Sequence, residues 1–259
     1  MKTTTGLAQD DVGDREPALV FLPGWCASRD AFRPLYPHLA RRALAVDWRG
    51  HGGSSPAAGD FGTRELVDDA VAAIEASGAH RVIPAAVAHA GWVAIELRRR
   101  LGPARVPGIV LIDWMVLGAP PPFHAALASL QRADTWEATR ARLFAMWTTG
   151  IDAPALHAYV RAMGGHGFEM WARAGREIAA AFAAQPVPLG AIAELAPPPP
   201  TLHVYAQPAD PAFLAAQERF AAEHAWFSVR RVAASSHFPM FEAPGELAAE
   251  LERFASERA

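Results

Sequence analysis

Cysteine and lysine are almost missing from this chain. Cys26 is the only cysteine in 259 residues, which excludes an intrachain disulfide and a cysteine-based metal cluster. Lys2 is the only lysine, and it sits in a polar N-terminal stretch. That argues against Schiff-base chemistry, a lysine base and a bound pyridoxal. No run reaches the ~20 apolar residues of a membrane span, and Met1 to Glu16 has no apolar signal core, so a soluble cytoplasmic protein is expected. Net charge is only -3, which gives no reason to expect nucleic acid or an acidic membrane as partner. His38, His51, His80, His124, His157, His166, His203 and His224 are scattered. None has His-x-x-x-His or His-Glu-x-x-His spacing, so no metal is expected and these rings read as solvated or locally hydrogen-bonded.

What is present is a sizeable core: 51% of the residues are hydrophobic, enough for one α/β domain with an inserted lid. Ala18 to Leu22 and Ala43 to Val46 read as strands. Asp30 to Arg41 has helical spacing, with Phe32, Leu35 and Leu39 on one side. Thr63 to Ser77 reads as an amphipathic helix, with Leu66, Ala70, Ala73 and Ile74 inward and Gly78 ending it. From residue 81 an apolar run reads as a strand that turns sharply into a helix ending at Leu101, and a strand from Gly108 to Ile112 follows. This alternation predicts a mostly parallel sheet covered on both faces. After Pro120 to Pro122, residues Phe123 to Leu195 read as mostly helical. Strands Thr201 to Ala206 and Phe227 to Val232 and a closing helix Glu246 to Arg258 resume the pattern. The expected division is a core of residues 1–118 and 200–259 with a helical lid over 119–199.

Chemistry concentrates at the predicted carboxyl ends of strands, where open α/β sheets place their sites. The stretch Ala86-Val87-Ala88-His89-Ala90 has the small-x-nucleophile-x-small form of a strand-to-helix nucleophile elbow, but Ala88 stands at the centre. A methyl group cannot attack a carbonyl, so ordinary ester hydrolysis is not expected. His237, in Ser-His-Phe-Pro after the last strand, is the candidate general base. Asp113, ending its strand in Ile-Asp-Trp, could orient that imidazole. Asp210, after the next strand, competes for the same role, and either carboxylate could instead cap a helix. The backbone N–H groups of Trp25 and His89 would form an oxyanion hole, which survives loss of a serine. Trp136, Trp147 and Trp171 in the lid could line an aromatic pocket for a flat ligand. The glycine-rich turn Asp47 to Ser54 reads as structural.

The segments Phe21-Leu-Pro-Gly-Trp-Cys26, Asp47-Trp-Arg-Gly-His-Gly52, Asp60-Phe-Gly62, Gly91-Trp-Val93, Ile112-Asp-Trp114, Leu143-Phe144 with Trp147, Gln207-Pro208, Ala225-Trp-Phe-Ser228 and Ser236-His-Phe-Pro239 span nearly the whole chain. Through them the sequence resembles the cofactor-independent, ring-cleaving dioxygenases of the α/β-hydrolase fold, the 1H-3-hydroxy-4-oxoquinaldine 2,4-dioxygenase family. The resemblance implies His237 as base, Asp113 as its supporting acid, and Trp25 and His89 as oxyanion hole. It implies Ala88, Trp147 and Trp114 on the substrate-binding wall. It also implies no cofactor, a small aromatic substrate and O2 as reactants, and loss of carbon monoxide on cleavage of a 3-hydroxy-4(1H)-quinolone ring. Two positions depart from the family: its elbow serine is Ala88, and a histidine two residues past the Gly-Trp pair is Ala27.

Two other readings use the same residues. A His-Asp dyad with an oxyanion hole could run oxygen-independent proton transfer as an isomerase, lyase or cyclase. A fold relative without its nucleophile could also be a non-catalytic ligand-binding protein, although a dead pocket needs no matched base and acid. Apolar faces on the lid helices would allow a homodimer.

Overall fold

The protein is described by a computed structural model covering residues 6–259, so Lys2 lies outside the described residues. Seven strands form one sheet: β1 (Gln9–Val12), β2 (Ala18–Leu22), β3 (Ala43–Val46), β4 (Val82–Val87), β5 (Ile109–Ile112), β6 (Thr201–Tyr205) and β7 (Phe227–Arg231). Their order is β1-β3-β2-β4-β5-β6-β7. Only β1 runs antiparallel to its neighbour; the other ladders are parallel.

The central strands are apolar along their whole length because the sheet is covered on both faces. Alternation divides their side chains between two cores. Phe21, Ala85, Ile112 and Val204 face one core, with Leu127, Trp171 and Phe182 packed over them from beyond β5. Val20, Ala86, Leu111 and Tyr205 face the other. That second core is closed by α1 (Thr63–Ser77) and α2 (Ala90–Arg105). Leu66, Ala70, Ala73 and Ile74 are buried as their spacing predicts, and Gly78 ends α1 in the left-handed region at φ 70°. Gly102, at φ 77°, breaks α2 just after Leu101.

Between β5 and β6 lie α3 (Pro121–Leu130), α4 (Trp136–Thr148), α5 (Pro154–Met163), α6 (Phe168–Ala184) and the short α7 (Pro188–Ala193). Then α8 (Pro211–Glu223) joins β6 to β7, and α9 (Pro244–Ser256) closes the chain. Among the described residues no helix is long and apolar enough to cross a membrane.

Two expectations are corrected. The helical stretch expected over Asp30 to Arg41 is a 3-10 helix, Arg29–His38, that stops before Leu39. Pro34 and Pro37 lie inside it, and each removes a backbone donor. Phe32 and Leu35 are still fully buried, because three-residue spacing keeps them on one side. The N-terminal stretch read as a polar tail contains β1. Its Gln-Asp-Asp-Val sequence has no strand pattern, yet Arg29 pairs with Asp10 at 3.0 Å and Arg42 with Asp11 at 2.7 Å. Those cations let two carboxylates sit on an edge strand.

The close approach of α2 to the loop after β5 depends on Gly91. A Cβ there would lie 2.2 Å from a ring carbon of Trp114. Gly91→Ala is therefore expected to cost about 1–3 kcal/mol through overpacking, read as a lower midpoint in urea with an unchanged slope.

Candidate active site

Among the described residues three non-glycines have positive φ: Cys26 at 59°, Ala88 at 50° and Asp113 at 49°. They follow β2, β4 and β5, at the carboxyl ends of three neighbouring strands. A left-handed residue with a side chain costs about 1–3 kcal/mol and persists only where its surroundings impose it. Ala88 has the sharp geometry of an elbow centre. Its N–H donates to the Ile112 carbonyl at 2.9 Å, and α2 starts two residues later. The turn is thus preserved without a side chain able to attack.

Asp113 is buried, with 2% of its side chain exposed. Its Oδ2 accepts the Ala206 N–H at 2.8 Å. Its Oδ1 faces His237 Nδ1 at 3.4 Å. A carboxylate only accepts, so this contact assigns the His237 proton to Nδ1 and leaves Nε2 as a free acceptor. Burial pushes the Asp113 carboxyl above its ordinary range, opposed by His237 and by the Ala206 and Gln207 amides. Asp210 does something else: it is exposed at the start of α8, where its carboxylate accepts the Ala212 N–H at 2.8 Å. The sequence left these two aspartates competing, and the structure brings only Asp113 to His237.

The loop carrying His237 is held by groups the sequence reading passed over. Glu242 accepts the Ser236 N–H at 2.7 Å, and the Ser236 hydroxyl accepts the Phe238 N–H at 3.2 Å. Trp147 from α4 stacks on the His237 ring, centroids 5.3 Å apart at 17°. Of Trp136, Trp147 and Trp171, on the helices between β5 and β6, it alone stacks on this ring. Trp171 is buried in the first core, and Trp136 lies 4.7 Å beneath the Arg140 guanidinium.

Trp25 and His89 bound the same small cavity of about 10 Å³, whose other walls, among them Trp48, Leu66 and Val93, belong to the second core rather than to the His237 side. Among the described residues, neither backbone N–H finds an acceptor. Such a pair of free amides beside an elbow suits a developing negative oxygen. The His89 ring stacks on Phe123 at 5.7 Å and meets Phe182 edge-on. Burial first, and nearby His237 second, push its pKa down to about 3, so this ring is neutral. Ala27, where the resemblance expects histidine, is a 4% exposed core residue.

Trp114, expected on the substrate-binding wall, is 3% exposed and packs in the second core, against Gly91 and edge-on to Trp92 at 5.1 Å. His51 and His203, read from sequence as solvated or locally bonded, are fully buried and bonded at both ring nitrogens. Only the apolar strand around His203 hinted at this. Among the described residues no three His, Cys, Asp or Glu side chains gather as metal ligands.

Residues 19–250 match the alpha/beta hydrolase family, and the chain belongs to it. Within that fold it groups with the ring-cleaving quinolone dioxygenases. It is 39% identical over 255 residues to a 2-heptyl-3-hydroxy-4(1H)-quinolone dioxygenase of Mycobacteroides abscessus, covering 96% of this chain and 95% of that one. It is 38% identical over 245 residues to the 2-heptyl-3-hydroxy-4-quinolone dioxygenase AqdC2 of Rhodococcus erythropolis, covering 93% and 91%. A solved structure of AqdC with its product, from work on ring cleavage of the Pseudomonas quinolone signal, superposes with a TM-score of 0.91. The two share 38% identity, and the match covers 96% of each chain.

Proposed function

We propose that this protein is a dioxygenase that opens the ring of a 2-alkyl-3-hydroxy-4(1H)-quinolone with O2 and releases carbon monoxide, without a metal or organic cofactor. The observation that carries the reading is an ordered His237–Asp113 pair beside an elbow whose centre, Ala88, cannot form a covalent adduct. The near full-length identity to quinolone dioxygenases supplies the substrate class.

Triplet dioxygen reacts poorly with closed-shell molecules, so most oxygenases borrow electrons from a cofactor. An electron-rich organic anion can supply them itself. His237 Nε2 takes the proton of the substrate's 3-hydroxyl, and Asp113 stabilises the imidazolium that forms. The amides of Trp25 and His89 hold the 4-carbonyl oxygen as charge builds on it. The anion gives one electron to O2, the two radicals recombine at C2, and the peroxide closes on C4. The O–O bond and the C2–C3 and C3–C4 bonds then break. C3 leaves as carbon monoxide with its own oxygen, and the two atoms of O2 remain in the new amide and carboxylate. Trp147 and Ala88 form part of the wall against which the flat ring lies, and residues 119–199 act as its lid.

The test is oxygen uptake and carbon monoxide release by chelator-treated protein given 2-heptyl-3-hydroxy-4(1H)-quinolone. Equal amounts of both, at a rate unchanged by the chelator, are expected. Product formation that continues without oxygen would point instead to an oxygen-independent acid–base enzyme.

A further inference from the structure

Two of the three left-handed turns at the site contain an amide that donates to a buried imidazole instead of a backbone carbonyl. Ala88 donates to the neighbouring strand, as described. Cys26 N–H and Trp114 N–H, the second immediately after Asp113, each donate to an imidazole nitrogen instead. His51 Nε2 accepts from Cys26 at 3.1 Å, and His203 Nε2 accepts from Trp114 at 3.2 Å.

The second nitrogen of each ring dictates its tautomer. His51 Nδ1 lies 2.9 Å from the Arg49 carbonyl, which can only accept. His203 Nδ1 faces Gln217 Oε1, whose amide is oriented by Gln217 Nε2 donating to the Phe213 carbonyl at 3.4 Å. Both rings therefore carry their proton on Nδ1 and present a lone pair at Nε2. Both are fully buried, and burial pushes each pKa down to about 4. Protonation would turn Nε2 from acceptor to donor, and neither ring takes that proton near neutrality. Apolar packing alone would need no such acceptor.

We infer that His51 and His203 are positioning residues for the reaction, His51 holding the turn that aims the Trp25 amide and His203 the turn that aims the Asp113 carboxylate. For its effect on turnover this rests on the dioxygenase reading above; for the tautomers it does not.

The test pairs substitutions with spectroscopy. His51→Leu and His203→Leu keep an apolar body and remove the acceptor. His51→Gln and His203→Gln return an acceptor at the ε position. Each Leu variant is expected to lose roughly 10- to 100-fold in kcat, the scale of a misplaced catalytic group, with little change in KM. Each Gln variant recovers most of that loss. Long-range 1H–15N spectra of the wild-type protein should show both rings as the Nδ1–H tautomer between about pH 5 and 8, assigned by the signals each substitution removes. Folded Leu variants with wild-type kcat, or an Nε2–H tautomer in either ring, overturn the inference. If the Leu variants do not fold, the wild-type spectra and the Gln variants decide. Absence of oxygen uptake by the wild-type protein would sink the dioxygenase reading while the spectra still test this one.

Discussion

His237→Ala is expected to lower kcat for oxygen uptake by about 10²- to 10⁴-fold, the usual contribution of a positioned general base. Removing the ring leaves no acceptor for the substrate's hydroxyl proton, so the anion that reduces O2 does not accumulate. The loss should fall on kcat more than on KM, because the Trp25 and His89 amides and the Trp147 face remain. Folding should change little: the partly exposed ring makes one 3.4 Å contact with Asp113, stacks on Trp147 and meets Phe238 edge-on. Steady-state oxygen-electrode rates, with a thermal melt as control, check both parts. A variant with wild-type kcat would remove His237 from the mechanism.

Asp113→Asn is expected to separate activity from stability. Asn keeps the shape and tolerates the left-handed backbone at φ 49°. Its carbonyl can still accept the Ala206 N–H, but its amide would then donate to His237 Nδ1. That drives the ring proton to Nε2, the atom that must receive the substrate's proton, so kcat should fall about 10²-fold or more. The stability effect has the opposite sign. Burial raises the Asp113 carboxyl above the ordinary carboxylate range. A raised folded-state pKa means that its stabilising contribution is complete below the unfolded value and is lost as pH rises through the folded value. At neutral pH wild-type protein therefore bears the cost of a buried charge, and the Asn variant does not. Its Tm should equal or exceed that of wild type at neutral pH, and the difference should shrink as pH falls below the ordinary carboxylate range. A Tm well below wild type at neutral pH would show that the ionised carboxylate stabilises the fold.

Much of the architecture could be read from local patterns. Strands Ala18–Leu22 and Ala43–Val46 and the helix Thr63–Ser77 have the bounds that apolar runs, spacing and the Gly78 cap predict. The elbow was legible because small residues must flank a sharp strand-to-helix turn whether or not a nucleophile sits in it. Reading failed where long-range partners override local pattern. Gln9–Val12 became a strand because Arg29 and Arg42 neutralise its aspartates.

Composition, periodicity and motif spacing were enough to establish the fold class and the lack of a nucleophilic side chain at Ala88, since both follow from near neighbours in the chain. The choice of Asp113 over Asp210 was not available from them, nor were the roles of His51 and His203. Those depend on hydrogen bonds between residues far apart in sequence: His237 and Asp113 are separated by 124 positions, and His203 and Trp114 by 89. Whether a carboxylate caps a helix or orients a base, and whether a histidine is solvated or braces a turn, is decided by which donor or acceptor the folded sheet places beside it.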